Sequence, residues 1–337
     1  MNQSAPPPRR TTLADVARES GVSVALASIV MRGAEGASEA SRLKVKAAAQ
    51  ALGYRPDSRA RALRSLRSGL LGVSLRLDEP FHAELVDEIY AAAEEHGYEV
   101  VLGAVGKHRS EARALEGLAD SGCEAILAIA ASGTRAELAA VDARLPLVSL
   151  LREVPGIDSV CTDDASGVDQ AVAHLVGLGH RRIFHLDGGG AVASAERRSA
   201  YLAAMERHSL GDLARVLPAG ADEREGAAAA GRLLADPRHP APSALVVFND
   251  RCALGVVDAL ERAGLAVPAD ISVVGFDDSQ FARLAHIGLS SVRQDVAALA
   301  RAAIERAVAR LAGQGPGLQR HAPALVVRNS TGIAPAS

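Results

Sequence analysis

Residues 11–33, TTLADVARESGVSVALASIVMRG, read as two short helices around a tight turn. Thr12 is placed to cap the first helix, and Asp15 three residues on makes a near capping box, with Asp where Glu or Gln is usual. Leu13, Val16 and Ala17 recur at helical spacing on one face. Gly21 breaks the helix, Val22 is expected to be buried at the turn, and Ser23 caps the second helix. That helix turns Ala27, Val30 and Met31 towards the first and leaves Val24, Ala25, Ser28 and Ile29 facing outward. This is helix-turn-helix spacing, in which the second helix enters the major groove of duplex DNA. The same pair could instead serve as a protein-interaction element.

Charge favours the nucleic-acid reading. Residues 1–69 hold 12 Lys/Arg against 5 Asp/Glu, a net +7; the remainder holds 25 against 35, a net -10, which together give the chain's -3. A basic head on an acidic body is the footprint of an end that meets a polyanion. A basic tail without a partner would not place its cations inside helical patterning. Residues 38–52 form a third helix, with Ser38 as its cap, Leu43, Ala47 and Leu52 as candidate core positions, and Gly53 as its stop. Then Pro56 enters a short helix capped by Asp57 or Ser58 and running to about Arg64. This linker carries Arg55, Arg59, Arg61, Arg64 and Arg67 with one acid. The expected organisation is a leader at 1–10, a headpiece at 11–55, a hinge helix at 56–69 and a core at 70–337.

The 337 residues suffice for two or more domains. Cys123, Cys161 and Cys252 stand far apart in apolar surroundings, with no zinc spacing and no disulfide pattern. The first ten residues lack the apolar stretch of a signal peptide, and nowhere do about 18 apolar, uncharged residues run together. A cytoplasmic protein without a cofactor is expected. From Leu70 onward, strand-length apolar runs alternate with amphipathic helices: LLGVSLRL, YEVVLGAV, CEAILAIA, LPLVSLL, RRIFHL, ARVLPA, SALVVF and ISVVGF are the strands. Such alternation means a doubly wound parallel α/β architecture. There are more units than one sheet usually holds, so two Rossmann-like lobes with a ligand crevice at the strands' carboxyl ends are expected.

The order TLADVARESGVS, LGYRPDSRARALR, TDDASGVDQAVAHLVGLGHRRI, PSALVVFNDRCALGVVDALERAGLAVPADISVVGFDDS and SSVRQD closely resembles the lactose-repressor/galactose-repressor family of bacterial transcription regulators, from about Thr11 to Gly332. The resemblance implies a three-helix headpiece, a hinge helix, and a two-lobed core like that of periplasmic binding proteins. The chain would cross between the lobes near 160, 290 and 320, with lobe 1 at 70–160 and 292–320 and lobe 2 at 161–291 and 321–332. It also implies a homodimer on a palindromic double-stranded DNA operator and a small effector, a sugar or polyol, in the cleft. The implied DNA-facing set is Thr12, Leu13, Ser23, Val24, Ala25, Ser28, Ile29, Arg32, Tyr54, Arg61, Leu63 and Arg64. Val24 and Ala25 suit thymine methyl groups. Leu63 between Arg61 and Arg64 has the chemistry of a minor-groove wedge. Arg197, Asn249, Asp277 and Gln294 match the family's effector-binding positions; Asn249 and Asp277 follow strands, as the crevice rule requires. Phe81 and His82, after the first strand, would line the same mouth. Several positions depart from the pattern: Ile29 for a frequent Arg, Arg32 for Asn, Asp57 for Asn, and Leu151 for Asp.

Two other classes make different demands. A solute-binding protein for uptake would carry an export signal and no basic headpiece. A cleft enzyme acting on sugars would need a phosphate loop and an activated acid. No Gly-x-Ser-x-Gly, Walker A or His-Glu-x-x-His motif occurs. The glycines at 188–190 read as a turn or a phosphate cradle. His174, His180 and His185 are spaced on a helix, a turn and a strand, which does not make a metal site.

Overall fold

The computed structural model describes residues 11–31, 34–54, 67–236 and 241–335. They form two units divided between Ser68 and Gly69, each with a core of its own.

The first unit holds α1 (Leu13–Ser20), α2 (Val24–Met31) and α3 (Glu39–Ala51). The capping box forms as expected: Asp15 N donates to Thr12 Oγ1 at 3.3 Å, and Thr12 N donates to the Asp15 carboxylate at 2.9 Å. Gly21 ends α1 at φ +69°, a conformation that costs glycine little. Ser38 accepts from Ser41 N at 3.3 Å and starts α3. Val16, Ala17, Ala27, Val30, Val45, Ala48 and Ala49 make the core, and the alanines let three short helices approach closely. Two expectations are corrected. Val22 is half-buried rather than buried. On α3, Leu43 is 67% exposed and Ala47 is exposed, while Val45, Ala48 and Ala49 face inward and Leu52 packs at the edge. The run KVKAAAQAL offers two helical registers, and alanine marks neither face strongly.

The second unit contains two six-stranded sheets. The first has the order β11-β5-β4-β3-β1-β2, all parallel, from β1 (Leu70–Arg76), β2 (Glu99–Val105), β3 (Ala125–Ile129), β4 (Leu147–Leu150), β5 (Asp158–Thr162) and β11 (Leu318–His321). The second has the order β12-β10-β9-β8-β6-β7, from β6 (Ile183–Asp187), β7 (Arg215–Pro218), β8 (Ala244–Val247), β9 (Ser272–Asp277), β10 (Ser290–Arg293) and β12 (Ala324–Val326). There, β12 alone runs antiparallel. Each sheet is covered on both faces. Ala125, Leu127 and Ile129 pack into one cluster while Ile126 and Ala128 of the same strand pack into another, so the strand reads as an unbroken apolar run. The expected two-lobed parallel α/β core is thus present.

The chain passes between the sheets three times: Thr162 to Asp164, Arg293 to Val296, and His321 to Ala324. The long helix Val296–Leu311 buries Leu299 and Ile304 against the first sheet, each worth about 1.5–3 kcal/mol. Its last turns anchor the start of β5: Arg306 Nε and Arg310 Nη1 donate to the fully buried Asp158 at 2.7 and 2.6 Å. Sequence patterning left β5, β10, β11 and the helix Arg135–Asp142 unassigned. The three strands are only four or five residues long and carry polar side chains, so no apolar run marks them. The helix does announce itself, by a Thr134–Glu137 capping box.

Candidate functional site

The carboxyl ends of the two sheets face each other across a cavity of about 380 Å³, within the usual size of small-molecule pockets. All six residues expected at the mouth line it: Phe81, His82, Arg197, Asn249, Asp277 and Gln294. Phe81 and His82 come from the first turn of helix Pro80–Glu95, beyond β1. Arg197 comes from helix Ser194–Arg207, Asn249 caps helix Asp250–Arg262 after β8, and Asp277 ends β9. Gln294 sits at a crossover between the lobes.

Arg197 is the electrostatic centre. Its Nε donates to Asp164 at 2.8 Å and its Nη1 to the Phe248 carbonyl at 2.7 Å, while Nη2 stands 4.0 Å from Asp277. The guanidinium lies 3.6 Å from the Phe276 ring centre and 4.9 Å from that of Phe248. Asp277 accepts from Gln294 Nε2 at 2.7 Å, and Thr162 Oγ1 donates to Gln294 Oε1. Burial pushes the carboxyl groups of Asp277 and Asp164 above the usual range, and Arg197 opposes both shifts. Behind them Asp250, fully buried, is pushed up to about 7 by burial; it accepts from Ser291 Oγ at 2.6 Å and Ser279 N at 2.7 Å. Burial lowers His82 to about 4, so the ring is neutral near pH 7. Its Nδ1 accepts from Arg76 N at 3.2 Å, which places the proton on Nε2.

Asn249 is spent on architecture, since Oδ1 accepts from Cys252 N at 2.9 Å and Nδ2 donates to the Ala221 carbonyl at 3.1 Å. The glycine turn after β6 has a packing cause: a Cβ on Gly188 would stand 2.6 Å from the Phe248 ring. Of six described non-glycine residues with positive φ, Ala130, Leu151, Ala193 and Asp277 line the cavity. Strained backbone of this kind gathers at ligand clamps. Ala130, Val192, Ala193, Phe248 and Glu225 were not anticipated in the sequence. The rule that ligands lie beyond strand carboxyl ends would have found Ala130 and Phe248. His174, His180 and His185 bond separately to Thr331, Ser243 and Val246, and no metal-binding cluster exists among the described residues.

In the headpiece, Val24 is 49% exposed, with Ser23 and Ala25 exposed beside it. Ser28 and Ile29 are half-buried one turn on. Ser23 Oγ accepts from Leu26 N at 3.2 Å, and the Thr12 hydroxyl donates to Asp15 at 2.6 Å. Leu13 and Tyr54 are half-buried and pack against the headpiece core. Arg32, Arg61, Leu63 and Arg64 lie outside the described residues.

Residues 12–57 match bacterial regulatory proteins of the lacI family, and residues 172–331 match the periplasmic binding protein-like domain. The HTH-type transcriptional regulator GalR of Salmonella typhimurium (strain SL1344) is 34% identical over 313 residues, 90% of each chain. This chain belongs to the LacI family of bacterial regulatory proteins. As a LacI-family member it is a DNA-binding transcriptional regulator. A lac repressor dimer bound to operator and the anti-inducer ONPF matches it at TM-score 0.85 and 29% identity, over 96% of this chain and 100% of that one. The transcriptional regulator CelR in complex with cellobiose matches at TM-score 0.69 and 28% identity, over 95% and 100%. No helix of the described residues is long and apolar enough to cross a membrane.

Proposed function

We propose that the protein is a cytoplasmic, homodimeric repressor without catalytic activity. It binds a palindromic operator through its headpiece (11–55) and hinge (56–69), and a sugar or polyol in the core (70–337) sets its operator affinity. The observation that carries this reading is the cavity. It is walled by both lobes, and its Arg197–Asp277 pair offers a donor and an acceptor 4.0 Å apart, the spacing suited to adjacent hydroxyl groups. Lobes joined by three short crossings can change their mutual angle, and a ligand touching both favours one angle over the others. The operator-bound and cellobiose-bound relatives support the two partner classes.

In the headpiece, Val24 and Ala25 would meet base edges. Thr12, Ser23, Ser28, Arg32 and Tyr54 would bind phosphates and position the helix, and Leu63 between Arg61 and Arg64 would wedge the central step. The test is a gel shift of the protein on its own upstream intergenic DNA, with and without a panel of sugars. A salt-sensitive, palindrome-specific shift altered by one sugar is expected. Specific binding that no polyol alters would refute the effector class, and absence of any specific shift would refute the operator assignment.

A further inference from the structure

The polar groups of the cleft are unevenly committed. On the wall built by the first sheet, Ser132 Oγ and Ser132 N donate to Glu111 at 3.3 and 3.0 Å. Glu79 accepts from Arg251 at 3.1 Å, and Arg76 donates to Asp78 at 3.1 and 2.7 Å. What this wall otherwise turns to the cavity is Phe81, Ala130, Leu151 and the neutral ring of His82. The opposite wall carries the Arg197 guanidinium and the Asp277 carboxylate. Its other candidates are engaged: Asn249 in the helix cap already described, and Glu225 in accepting from Ala221 N at 2.8 Å.

The apolar wall is built with some strain. Ala130 (φ +48°) follows β3 and Leu151 (φ +63°) follows β4, both in a backbone region that side chains rarely occupy. Each is held there by its amide, Ala130 N to the Leu150 carbonyl and Leu151 N to the Val160 carbonyl, both at 2.9 Å. Leu151 also packs against the apolar cluster beneath. Pressed on the side chains of Phe81, Ala130 or Leu151, a hydroxyl finds no partner and loses its water.

Resting on the reading of the cleft as a polyol site, we infer that the effector is two-faced. It turns adjacent hydroxyl groups to Arg197 and Asp277 and a deoxygenated or alkylated face to Leu151, Ala130 and Phe81, with Leu151 selecting for that face. An apolar pocket rejects an added hydroxyl by about 10- to 100-fold.

The test is calorimetric titration of the full chain with D-glucose, D-galactose and D-mannose, each beside its 6-deoxy counterpart and its phenyl β-glycoside. The tightest ligand is expected to be a deoxy or phenyl compound, at least about tenfold over its parent hexose. Leu151→Asn supplies a donor and an acceptor, and Asn tolerates positive φ, so the variant should fold and bring that ratio below about threefold. Parent hexoses binding as tightly as their apolar partners would overturn the inference and leave the polyol cleft standing. An unchanged ratio in Leu151→Asn, with an intact thermal transition, would overturn the selecting role of Leu151. Binding by no compound in the panel would overturn the polyol reading and the inference with it.

Discussion

Replacing Arg197 with Met removes the cation around which the cleft is assembled. The guanidinium donates to Asp164 at 2.8 Å and to the Phe248 carbonyl at 2.7 Å, and it rests on the Phe276 ring. Removing one member of a buried ion pair costs about 3–5 kcal/mol, because the partner is left desolvated and unpaired. Methionine fills much of the volume, so the loss is electrostatic and should depend on pH. Burial holds Asp164 and Asp277 above the ordinary 3.8, and Arg197 restrains both. Without it, both rise further. An acid whose folded pKa lies above its unfolded value penalises the fold fully above the folded pKa, and the penalty disappears as pH falls to the unfolded value. The deficit of Arg197→Met is therefore expected to be largest near pH 8 and to shrink towards pH 4.5. Urea unfolding across that range measures it. Adding Asp164→Leu removes the abandoned carboxylate and should recover about 1–3 kcal/mol at pH 8. A deficit below about 1 kcal/mol at pH 8, or one that grows on acidification, would refute the reasoning.

Other expectations follow from the same geometry. His185, buried between Val246 and Tyr201, is lowered from 6.5 to about 4 by burial, so the unfolded chain takes up a proton that the native ring refuses. Stability drawn from this residue is lost as pH falls from about 6.5 to about 4, and His185→Phe should remove about 3 kcal/mol of that loss in a pH series of urea titrations. Gly188→Ala drives a methyl into the Phe248 ring; it should cost about 1–3 kcal/mol and weaken ligand binding, both readable in thermal shift with and without ligand. In the headpiece, Val45→Ala should cost about 1 kcal/mol or more in thermal melts, whereas Leu43→Ala should stay within about 0.5 kcal/mol.

Much of this was legible in the sequence because the signals are local. The Thr12–Asp15 box, Gly21 and Ser38 specify their helices through bonds spanning three or four residues. Strands buried on both faces announce themselves as unbroken apolar runs. The cleft residues were found by resemblance and by their position after strands. What escaped depends on tertiary pairing. The strand Asp158–Thr162 has no apolar run, and its Asp158 becomes tolerable only beside Arg306 and Arg310, some 150 positions away. The inward face of α3 is carried by alanines, which differ little from their exposed neighbours. That Asn249 is engaged by its own helix, and that Arg197 is held by Asp164 and the Phe248 carbonyl beside Asp277, follows from hydrogen bonds, which residue type and spacing do not reveal.

The central claim is that the cleft and the headpiece share one equilibrium. Coupling of this kind is reciprocal: whatever factor the effector applies to operator affinity, the operator applies to effector affinity. The direct measurement is calorimetric titration of the effector into the protein with and without saturating operator duplex, beside the operator's own dissociation constant with and without effector. The account predicts two equal ratios, each in the range of about 5- to 150-fold. Effector affinity that is identical in the presence and absence of operator would contradict it.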